Sequence, residues 1–501
     1  MVEPGPLFAL EAGEARAIVD VLRGASFDDE HIAATLRSDE ITATGERRLA
    51  IQRHRTSDGT ALHTLIRLLV LGLSVDADAA REALAPLTFE RLLTCGLLVG
   101  GGGGMVHAAV QLRCFQDLVV AWDLPRRDVA GRLPADFVMG ISPSSLGLAG
   151  LTRRERVTSV LDLGTGCGIQ AMLAARHADV VVATDANPRA VAMARFNASV
   201  NRISNVTCVQ GSMFEPVADR RFDLIVSNPP FIVSPDSEHL FLSTERPLDE
   251  LCQQLAGQAA EHLNDGGWCQ FLANWAIGAD ESWRDHVEGW AAGTGCDVFV
   301  LRRSSQPIEE YATEWIEPTA EGLAFDDAFD QWIDYYQRAG VAAIGFGLVT
   351  MRRRVTRRGD GAHWFVGENA PDQLSYPAGD AIVEAFARHD FLHAHPDDHA
   401  LLAARLRVAD DATMTQRFRL RDAAWKPIEA LVRRDRGLRY GFDVDAAGVA
   451  LLAHADGTST LRDVLLAVAA EFSVPSDALL DDGPAIARSL IERGVLIPVP
   501  S

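Results

Sequence analysis

The feature that most constrains the fold is a regular alternation of apolar strands and helices in the middle of the chain. Strand patterns cover residues 157–164, 179–186, 205–211, 222–230 and 267–275. Helical patterns such as GIQAMLAARH and PRAVAMARFNASVN separate them. Strands that alternate with helices predict βαβ units, and hence an α/β fold with a parallel sheet. Two later strand patterns, 297–303 and 343–353, would complete a seven-stranded sheet, and the pattern allows an antiparallel pair at its edge.

The flanking regions show a different pattern of helices and strands. Residues from about 10 to 95 show helical periodicity, followed by a strand, a five-glycine turn at 100–104 and another strand. The chain ends in the same way, with a helix followed by a strand. We therefore predict a helical, winged-helix-like N-terminal domain (1–130), a Rossmann-like central domain (131–355) and an α+β C-terminal domain (356–501) that ends in a helix–strand wing. Winged helices bind nucleic acid, contact proteins or simply pack, and all three roles stay open.

Composition limits the class of partner and the compartment. The formal net charge of -22 argues against broad electrostatic binding to nucleic acid. The arginine clusters at 47–55 and 352–358 are either solvated faces or local nucleic-acid contacts. Seven cysteines without a CxxC pair predict no disulfide framework and no metal site, and a reducing cytoplasm. The N-terminus lacks the basic start and long apolar run that are typical of a signal peptide, so we expect none. The most apolar run contains His63 and Arg67, so no membrane span is expected.

The first predicted strand of the sheet ends in a glycine-rich turn, and a helix follows. Asp162, Gly164, Thr165, Gly166 and Gly168 lie in the run DLGTGCG. Glycine lets the backbone approach a ligand closely and adopt positive φ. The spacing is GxGxG, whereas a dinucleotide pyrophosphate favours GxGxxG, and a Walker lysine does not follow.

The second predicted strand ends in an acid, Asp185, followed by Ala186. A carboxylate at this place can accept hydrogen bonds from both hydroxyls of a ribose. The two strand ends together therefore indicate an adenosine-type ligand. A turn that only connects strand to helix, and an NAD site, are the alternatives.

A second chemical feature follows the fourth strand, where the chain reads SNPPFI. Pro229 and Pro230 stiffen the backbone after Asn228. A rigid corner of this kind can hold the side-chain oxygen of Asn228 and a nearby main-chain carbonyl as two fixed acceptors. A planar NH2 group offers two matching donors, and Phe231 offers a flat apolar face. Because an amide or aryl amine nitrogen is a poor nucleophile, such positioning would supply most of the rate. The alternative is a turn that ends the strand and buries a phenylalanine.

These residues resemble the class I S-adenosylmethionine-dependent methyltransferases, and more narrowly the "small" methyltransferase superfamily with an NPP[FY] motif. LDLGTGCGIQ, TDANPRAVAMARFNASVN, VQGSMFEP and FDLIVSNPPFI carry the resemblance, which covers about 135–355. It implies that Asp162 and the turn glycines line the donor, that Asp185 and Ala186 hold its ribose, and that Asn228, Pro229, Pro230 and Phe231 form the acceptor corner. Ser212 and Met213 would contact adenine, and the usual aspartate is absent at Ser212.

The resemblance also suggests residues that could border the substrate. The segment 136–150 occupies the place of a lid over the donor, with Ser142 and Pro143 as candidates; the alternative is a plain linker. Asn274 and Trp275 end the fifth strand at the same edge, where they contact substrate or belong to the core.

The acceptor is left open by the sequence. Glutamine N5-methylases of release factors, rRNA guanine-N2 enzymes and adenine-N6 enzymes share the corner, and the further motifs of the first two are incomplete here. We expect a macromolecular acceptor and favour slightly a glutamine side-chain amide of a translation protein over an RNA base amine. Two further hypotheses are a small-molecule acceptor and a non-catalytic module that binds S-adenosylmethionine.

Overall fold

The computed structural model describes residues 8, 10, 12–37, 46–125, 133–235, 248–316, 323–354 and 363–499. Contacts divide the chain into two compact units, one formed by 1–148 and 156–366, the other by 149–155 and 367–501. The predicted domain limits at 130/131 and 355/356 lie outside the described residues and stay predictions. Within the described ranges, we find no helix that is long and apolar enough to cross a membrane, and no cluster of three or more potential metal ligands.

The N-terminal part of the first unit contains six helices, a π-helical turn at Ile66–Val70 and five strands. The helices are α1 (Ala12–Gly24), α2 (Asp29–Leu36), α3 (Glu46–Arg55), α4 (Ala61–Leu65), α5 (Ala77–Ala83) and α6 (Phe89–Thr94). The strands are β1 (Val75–Asp76), β2 (Leu98–Gly100), β3 (Met105–Ala108), β4 (Val110–Phe115) and β5 (Leu118–Asp123). Strands β1 to β3 form a small sheet in the order β1-β3-β2, and β4 pairs with β5.

Local sequence explains several of these elements. Asp28, Thr60 and Asp76 cap helices α2, α4 and α5, where their side chains accept hydrogen bonds from main-chain N–H groups. The glycine run links β2 to β3, and Gly103 and Gly104 have φ of 69° and 74°. The order helix, strand, glycine turn and strand that the sequence predicts is present. The second arginine cluster is described only for 352–354.

The large sheet and its helices belong mostly to the central part of the first unit, whose limits fall within a helix at 143–151 and a strand at 365–369. The strands are β6 (Val157–Leu163), β7 (Ala178–Asp185), β8 (Val206–Gln210), β9 (Phe222–Ser227), β10 (Leu263–Gly278), β11 (Cys296–Pro307), β12 (Val341–Arg353) and β13 (Phe365–Asn369). The helices are α7 (Pro143–Leu151), α8 (Ile169–Ala174), α9 (Pro188–Val200), α10 (Glu250–Ala259), α11 (Trp283–Ala291), α12 (Ile308–Ile316) and α13 (Leu323–Arg338).

The strand order of this sheet is β13-β11-β12-β10-β9-β6-β7-β8. Strands β8, β7, β6, β9 and β10 run parallel, and β12 is antiparallel to both β10 and β11. The α/β class and all seven predicted strands are confirmed. The predicted count is corrected to eight, because β13, too short to stand out in the sequence, adds an edge strand. The carboxyl ends of β6, β7, β9 and β10 meet at one edge of the sheet, where open α/β sheets bind ligands.

Two asparagines, one buried and one half-buried, join strand β5 to helix α9. The Asn197 amide accepts a hydrogen bond from Ala121 N at 2.8 Å and donates to Ala121 O at 2.9 Å. Asn201 forms the same pair of bonds with the main chain of Val119, at 2.8 and 2.7 Å. Because each side-chain amide satisfies the donor and acceptor of one strand residue, α9 substitutes for a neighbouring strand at this edge of β5.

The second unit is α+β. Its helices are α14 (Gly379–Ala394), α15 (Asp398–Leu402), α16 (Ala446–His454), α17 (Leu461–Phe472) and α18 (Ser476–Glu492). Its strands are β14 (Leu374–Ser375), β15 (Arg405–Val408), β16 (Ala412–Arg421), β17 (Ala424–Arg434), β18 (Gly437–Leu438), β19 (Gly441–Val444), β20 (Asp456–Thr460) and β21 (Leu496–Pro498). The sheets have the orders β20-β15-β21, β16-β17-β19 and β14-β18.

The last helix of this unit starts earlier than its sequence suggests. The helical pattern GPAIARSLIER predicts a helix that begins at Gly483. Helix α18 instead begins at Ser476 and keeps Pro484 inside it. Leu490 and Ile491 on this helix are fully buried in the core of the unit, and this packing offsets the local cost of the proline.

Candidate functional site

A cavity of about 620 Å³ lies at the carboxyl edge of the central sheet. It is lined entirely by residues of the first unit. These residues come from the ends of β6, β7 and β9, from the turn after β8, from the segment before α7, and from helices α7, α8, α9, α10 and α12. The predicted residues among them are Ser142, Asp162, Gly164, Thr165, Gly166, Asp185, Ala186, Ser212, Met213, Asn228, Pro229, Pro230 and Phe231.

The glycine turn after β6 presents bare backbone to this cavity. Gly164 and Gly166 have φ of 71° and 54°, and a Cβ built on either would meet no atom within 4 Å. Gly168 has φ of 85° and lies against helix α9, where a Cβ would approach Ala194 at 3.0 Å. The first two glycines therefore keep open space for a ligand, and the third allows close helix packing.

Asp162 stabilises this turn through hydrogen bonds. One carboxylate oxygen accepts hydrogen bonds from Thr165 Oγ1 at 2.6 Å and from Ala171 N at 2.9 Å. Burial raises the pKa of Asp162 to about 7, although both hydrogen bonds oppose that shift. Asp162 and Thr165 thus fix the shape of the turn and the start of helix α8.

Asp185 stands at the end of β7 and faces the cavity. Its carboxylate accepts hydrogen bonds from Gly166 N and Asn187 N, both at 2.9 Å. Burial raises its pKa, and the two main-chain donors work in the opposite direction. The carboxylate is thereby aimed before any ligand binds, with lone pairs left for further donors.

The corner after β9 contains an unpaired buried acceptor. Asn228 Nδ2 donates to Ser145 Oγ at 3.4 Å, whereas Asn228 Oδ1 is buried and has no hydrogen-bond partner among the described residues. Ser227, the residue before it, donates to Leu163 O at 2.7 Å and ties the strand end to β6. The side-chain oxygen of Asn228 is therefore available to a donor inside the cavity.

The chain after the corner is fixed by two tyrosines that sequence reasoning missed. Tyr311 Oη accepts from Val233 N at 3.1 Å, and Tyr336 Oη donates to Val233 O at 2.6 Å. Both tyrosines are almost fully buried, and Phe231 packs against Phe346 with the ring centroids 5.4 Å apart and the rings tilted. They lie roughly 80 or more positions beyond the corner, so no local pattern could have indicated them.

The segment before α7 forms one wall of the cavity. Ser142 Oγ accepts from Ser145 N at 3.2 Å, which caps the helix that Pro143 begins. Ser142, Ser144 and Ser145 line the cavity, whereas Pro143 does not. Gln170, another missed residue, donates to Ser145 O at 2.8 Å, and its own Oε1 is buried without a partner among the described residues.

The turn after β8 places the predicted adenine contacts at the cavity. Ser212 is exposed, and Met213 has a positive φ of 47°. Gly211 precedes them with its N–H donated to Asp185 O at 3.0 Å, which holds this turn beside the end of β7. The structure therefore brings Ser212 and Met213 to the same cavity as Asp185 and Ala186.

The two residues predicted at the end of β10 do not reach the cavity. Asn274 and Trp275 are 2% and 0% exposed, and neither lines it. Asn274 Nδ2 donates to Tyr311 Oη at 2.6 Å, so it supports the tyrosine that holds the corner. Trp275 packs against Trp283 in the core. Pairing of β10 with β12 extends the sheet past these residues and encloses them.

Known proteins resemble the middle of this chain. The family model described as methyltransferase small domain matches residues 143–292. The release factor glutamine methyltransferase of Geobacter sulfurreducens is 37% identical over 167 residues, which cover 30% of this chain and 56% of that protein. The enzyme of the same name from Yersinia pestis is 43% identical over 129 residues, or 23% and 46% of the two chains. The chain spans about half the length of the curated relatives it matches.

Outside this region, two family models, each described only as a domain of unknown function, match residues 24–109 and 383–498. A solved ribosomal protein L11 methylase from Lactobacillus delbrueckii subsp. bulgaricus has a TM-score of 0.27 and 22% identity, covering 43% of this chain and 81% of that one.

The resemblance predicted from the motifs is thus confirmed for the central region. Residues 143–292 match the methyltransferase small domain, and this range contains the five parallel strands β6 to β10 of the large sheet.

Proposed function

We propose that this chain transfers a methyl group from S-adenosylmethionine to the nitrogen of a planar NH2 group. The favoured acceptor is the side-chain amide of a glutamine in a protein of the translation machinery. The curated relatives, named as release factor glutamine methyltransferases, support that acceptor class. The proposal places the protein in the cytoplasm, where translation factors work.

The cavity fits the donor. Its volume of about 620 Å³ falls within the usual range of ~300–1,000 Å³ for small-molecule sites. The donor would lie along Gly164 and Gly166, where the backbone is bare, with its ribose hydroxyls at Asp185 and Ala186. Ser212 and Met213 would border the adenine. When bound, S-adenosylmethionine supplies a methyl group on a positively charged sulfur.

The observation that carries the proposal is the unpaired Asn228 Oδ1. A buried oxygen without a donor costs about 1–3 kcal/mol, so a ligand that donates there gains by pairing it. Asn228 Nδ2 is already directed at Ser145 Oγ, which leaves the oxygen as the free end of the amide. A planar NH2 group supplies the required N–H, and a second N–H can reach a main-chain carbonyl of the same corner.

The corner can make an amide nitrogen reactive through position alone. Pro229 and Pro230 hold the backbone rigid, and the tyrosines that fix Val233 keep the segment from shifting. Hydrogen bonds from both N–H groups hold the nitrogen at one orientation and favour loss of its conjugation as the new C–N bond forms. The other product of the transfer would be S-adenosylhomocysteine. The methylated nitrogen would then lose its proton to water, so these residues need not include a strong base.

The aromatic walls favour a second candidate, the exocyclic amine of an RNA base. Phe231 and Trp315 both line the cavity and offer flat faces to a planar ring. A base amine presents the same two N–H donors as a glutamine amide. The Asn228 geometry alone does not separate the two acceptors.

The test is methyl transfer with the purified full chain. Tritiated-methyl S-adenosylmethionine is offered together with lysate from cells that lack this gene, and the label is divided into protease-sensitive and nuclease-sensitive fractions. Protease-sensitive label on a release factor, with a methylated glutamine found by mass spectrometry, is the expected result. Nuclease-sensitive label would give the second candidate, and label in small molecules would overturn both.

The matched variants are Asn228→Ala and Asn264→Ala. Asn264 lies at the beginning of β10, the opposite edge of the sheet from the cavity. Asn228→Ala should retain donor binding and lower turnover by a factor on the order of 100 to 1,000, as for loss of one positioning group. Asn264→Ala should keep both. Undiminished turnover in Asn228→Ala would refute the role of the corner, and donor binding without any transfer in the wild type would indicate a binding module.

A further inference from the structure

The second unit carries a projecting β-hairpin whose surface is unusual for a soluble protein. Strands β16 and β17 pair over ten positions and are joined by Asp422 and Ala423, both with positive φ (53° and 58°). Strand β19 pairs with β17 only at residues 430–433. The distal ribbon, defined as residues 417–429, is therefore two strands wide and extends about 17 Å beyond the small sheet, at ~3.3 Å per residue.

One face of the distal ribbon is apolar and exposed. The cross-strand pairs Leu420–Trp425 and Phe418–Pro427 share this face, because directly opposed residues project to the same side. Trp425, Leu420 and Phe418 are 69%, 57% and 49% exposed. Large side chains with this much contact with water, grouped at one tip, mark a binding surface.

The other face is basic. Arg419 lies opposite Lys426, and Arg421 precedes the turn on the same side. Lys426 pairs with Asp422 at 3.0 Å and Arg417 with Glu429 at 2.6 Å, whereas Arg419 and Arg421 form no ion pair among the described residues. The distal ribbon carries four basic and two acidic residues, a net charge of +2, on a chain whose total is -22. The distal ribbon is thus locally basic on a chain that is acidic overall.

We propose that the distal ribbon binds nucleic acid, with Trp425 and Phe418 stacking on unpaired bases and Arg419 and Arg421 contacting phosphates. Exposed aromatic rings and arginines are the groups that hold single-stranded nucleic acid, and the narrow ribbon presents them on its two faces. A two-stranded ribbon is also narrow enough to enter a duplex groove, where an apolar tip can wedge between bases. This inference does not depend on the proposed methyl transfer.

The edges of the ribbon argue against a protein strand as its occupant. Pro427 lacks an N–H, and the register shifts between Arg417 and Phe418, where Ile428 is the extra residue on β17. A proline, a bulge and basic side chains are the features by which edge strands avoid pairing with another chain. Side-chain contacts to phosphates and bases need no free edge, so nucleic acid suits this surface better.

The test is fluorescence anisotropy with the purified full chain and without methyl donor. The probes are a labelled single-stranded RNA of about 20 nucleotides, long enough to exceed the ~4–16 nucleotides that one such surface covers, and DNA of the same sequence. Titrations run at several salt concentrations. Tighter binding of RNA would identify RNA as the ligand, and equal binding of both would indicate recognition of any unpaired strand.

Three variants test which groups bind. Arg419→Ala with Arg421→Ala should weaken binding and lower the slope of log affinity against log salt by about 1.4, because each lost single-strand phosphate contact contributes ~0.7. Trp425→Ala should weaken binding by a factor on the order of 5 to 150, the loss expected for one stacked base, with the slope unchanged. Arg405→Ala with Arg462→Ala removes the same charge from exposed sites elsewhere in this unit and should leave affinity and slope unchanged.

Several results would overturn the inference. No binding by the folded wild type, or equal weakening by the control pair, would remove the ribbon as a nucleic-acid site. Light scattering is measured in parallel: a wild-type dimer that Trp425→Ala converts to a monomer, without nucleic-acid binding, would assign the surface to a second copy of the chain. Binding to anionic vesicles but not to nucleic acid would assign it to a membrane surface.

Discussion

Asp185 illustrates how a single residue can be prepared for a ligand by the main chain around it. Gly166 N and Asn187 N orient its carboxylate at the cavity. We expect Asp185→Ala to weaken donor affinity by about 1–3 kcal/mol, because the ribose hydroxyls would be buried without acceptors. Asp185→Asn, which keeps one acceptor oxygen, should fall between alanine and the wild type. Isothermal titration calorimetry with S-adenosylmethionine measures the effect.

The control for this prediction is Asp179→Ala. Asp179 lies near the other end of the same strand, β7, and is exposed. Its replacement should change donor affinity by less than about 0.5 kcal/mol, as for surface substitutions away from special features. Equal affinities in Asp185→Ala and Asp179→Ala would show that the ribose lies elsewhere.

The site residues at strand ends could be predicted from the sequence. The site residues that come from distant segments of the chain could not. Asp162 and Asp185 lie in the last two residues of a strand, and Gly164 and Asn228 directly follow one. Because the apolar pattern fixes where each strand ends, their common edge could be deduced. Asn274 follows the same rule but is enclosed, because its strand continues against an antiparallel neighbour. Tyr311, Gln170 and Trp315 reach the site through tertiary packing, which leaves no local pattern.

At the scale of elements, the attachment of β5 to α9 depends on an amide that both donates and accepts. Asn197 is 0% exposed, and its Nδ2 donates to Ala121 O and to Cys167 O, the latter at 2.7 Å. We expect Asn197→Asp to lower the free energy of unfolding by about 2–4 kcal/mol, because the new oxygen faces two carbonyl oxygens instead of donating to them. Chemical denaturation followed by tryptophan fluorescence measures it.

Gln210→Glu provides the matched change for Asn197→Asp. Gln210 is exposed at the end of β8, and its side chain makes only a 3.4 Å hydrogen bond to Ala186 O. The same exchange of amide for carboxylate should cost less than about 0.5 kcal/mol there. Comparable losses at the two positions would mean that Asn197 does not join β5 to α9.

Helices α10 and α11 meet at a histidine held between two acids. His286 Nε2 lies 2.8 Å from Asp249, the residue before α10, and Nδ1 lies 2.9 Å from Glu281. The hydrogen bond with Asp249 is the main cause that raises the pKa of His286 to about 9, and the charge of Asp249 and the contact with Glu281 add to it. Asp249 also accepts from Ala276 N at 2.8 Å, so the charged histidine links both helices to β10.

The raised pKa predicts a pH-dependent contribution to stability. A protonated His286 stabilises the fold fully below its unfolded pKa of about 6.5, and this contribution is lost as the pH rises through about 9. We expect His286→Ala to lower the free energy of unfolding by roughly 1–3 kcal/mol at pH 6 and by much less at pH 10. His399→Ala, at an exposed position, should change stability equally at both pH values. A cost in His286→Ala that does not vary with pH would contradict the ion-pair role.

The elements themselves were largely predictable, and their neighbours were not. Strand β9 follows from its run of apolar residues, and helix α9 from the Asn-Pro start that caps it. Periodicity does not reveal that Asn197 on α9 would bond to β5, more than 70 positions earlier. The start of α18 was misplaced for a related reason, since burial of its apolar face decides against a local proline.

At the scale of the whole molecule, the chain contains two units with separate cores. Leu406, Val432 and Leu490 belong to the core of the second unit, whereas the apolar residues behind the cavity belong to the first. The sequence predicted three domains, and contacts give two units, with the N-terminal helices in the same unit as the large sheet. Composition changes along the chain mark linkers, but they carry no information on which segments later pack together.

This division predicts that the methyl donor stabilises one unit selectively. Since only residues of the first unit line the cavity, a ligand there adds RT ln(1 + [L]/Kd) to the stability of that unit, about 2.7 kcal/mol at 100 times Kd.

Of the nine tryptophans, Trp425 is the single one in 367–501, so eight belong to the first unit. In Trp425→Phe, tryptophan fluorescence therefore reports the first unit alone, and calorimetry reports both. S-adenosylmethionine should shift the fluorescence transition by several degrees and leave the calorimetric transition of the second unit in place. Asp185→Ala should abolish the shift at the same donor concentration. A donor that moved both transitions together would mean that the two units unfold as one, and a donor that moved neither would place its site outside this cavity.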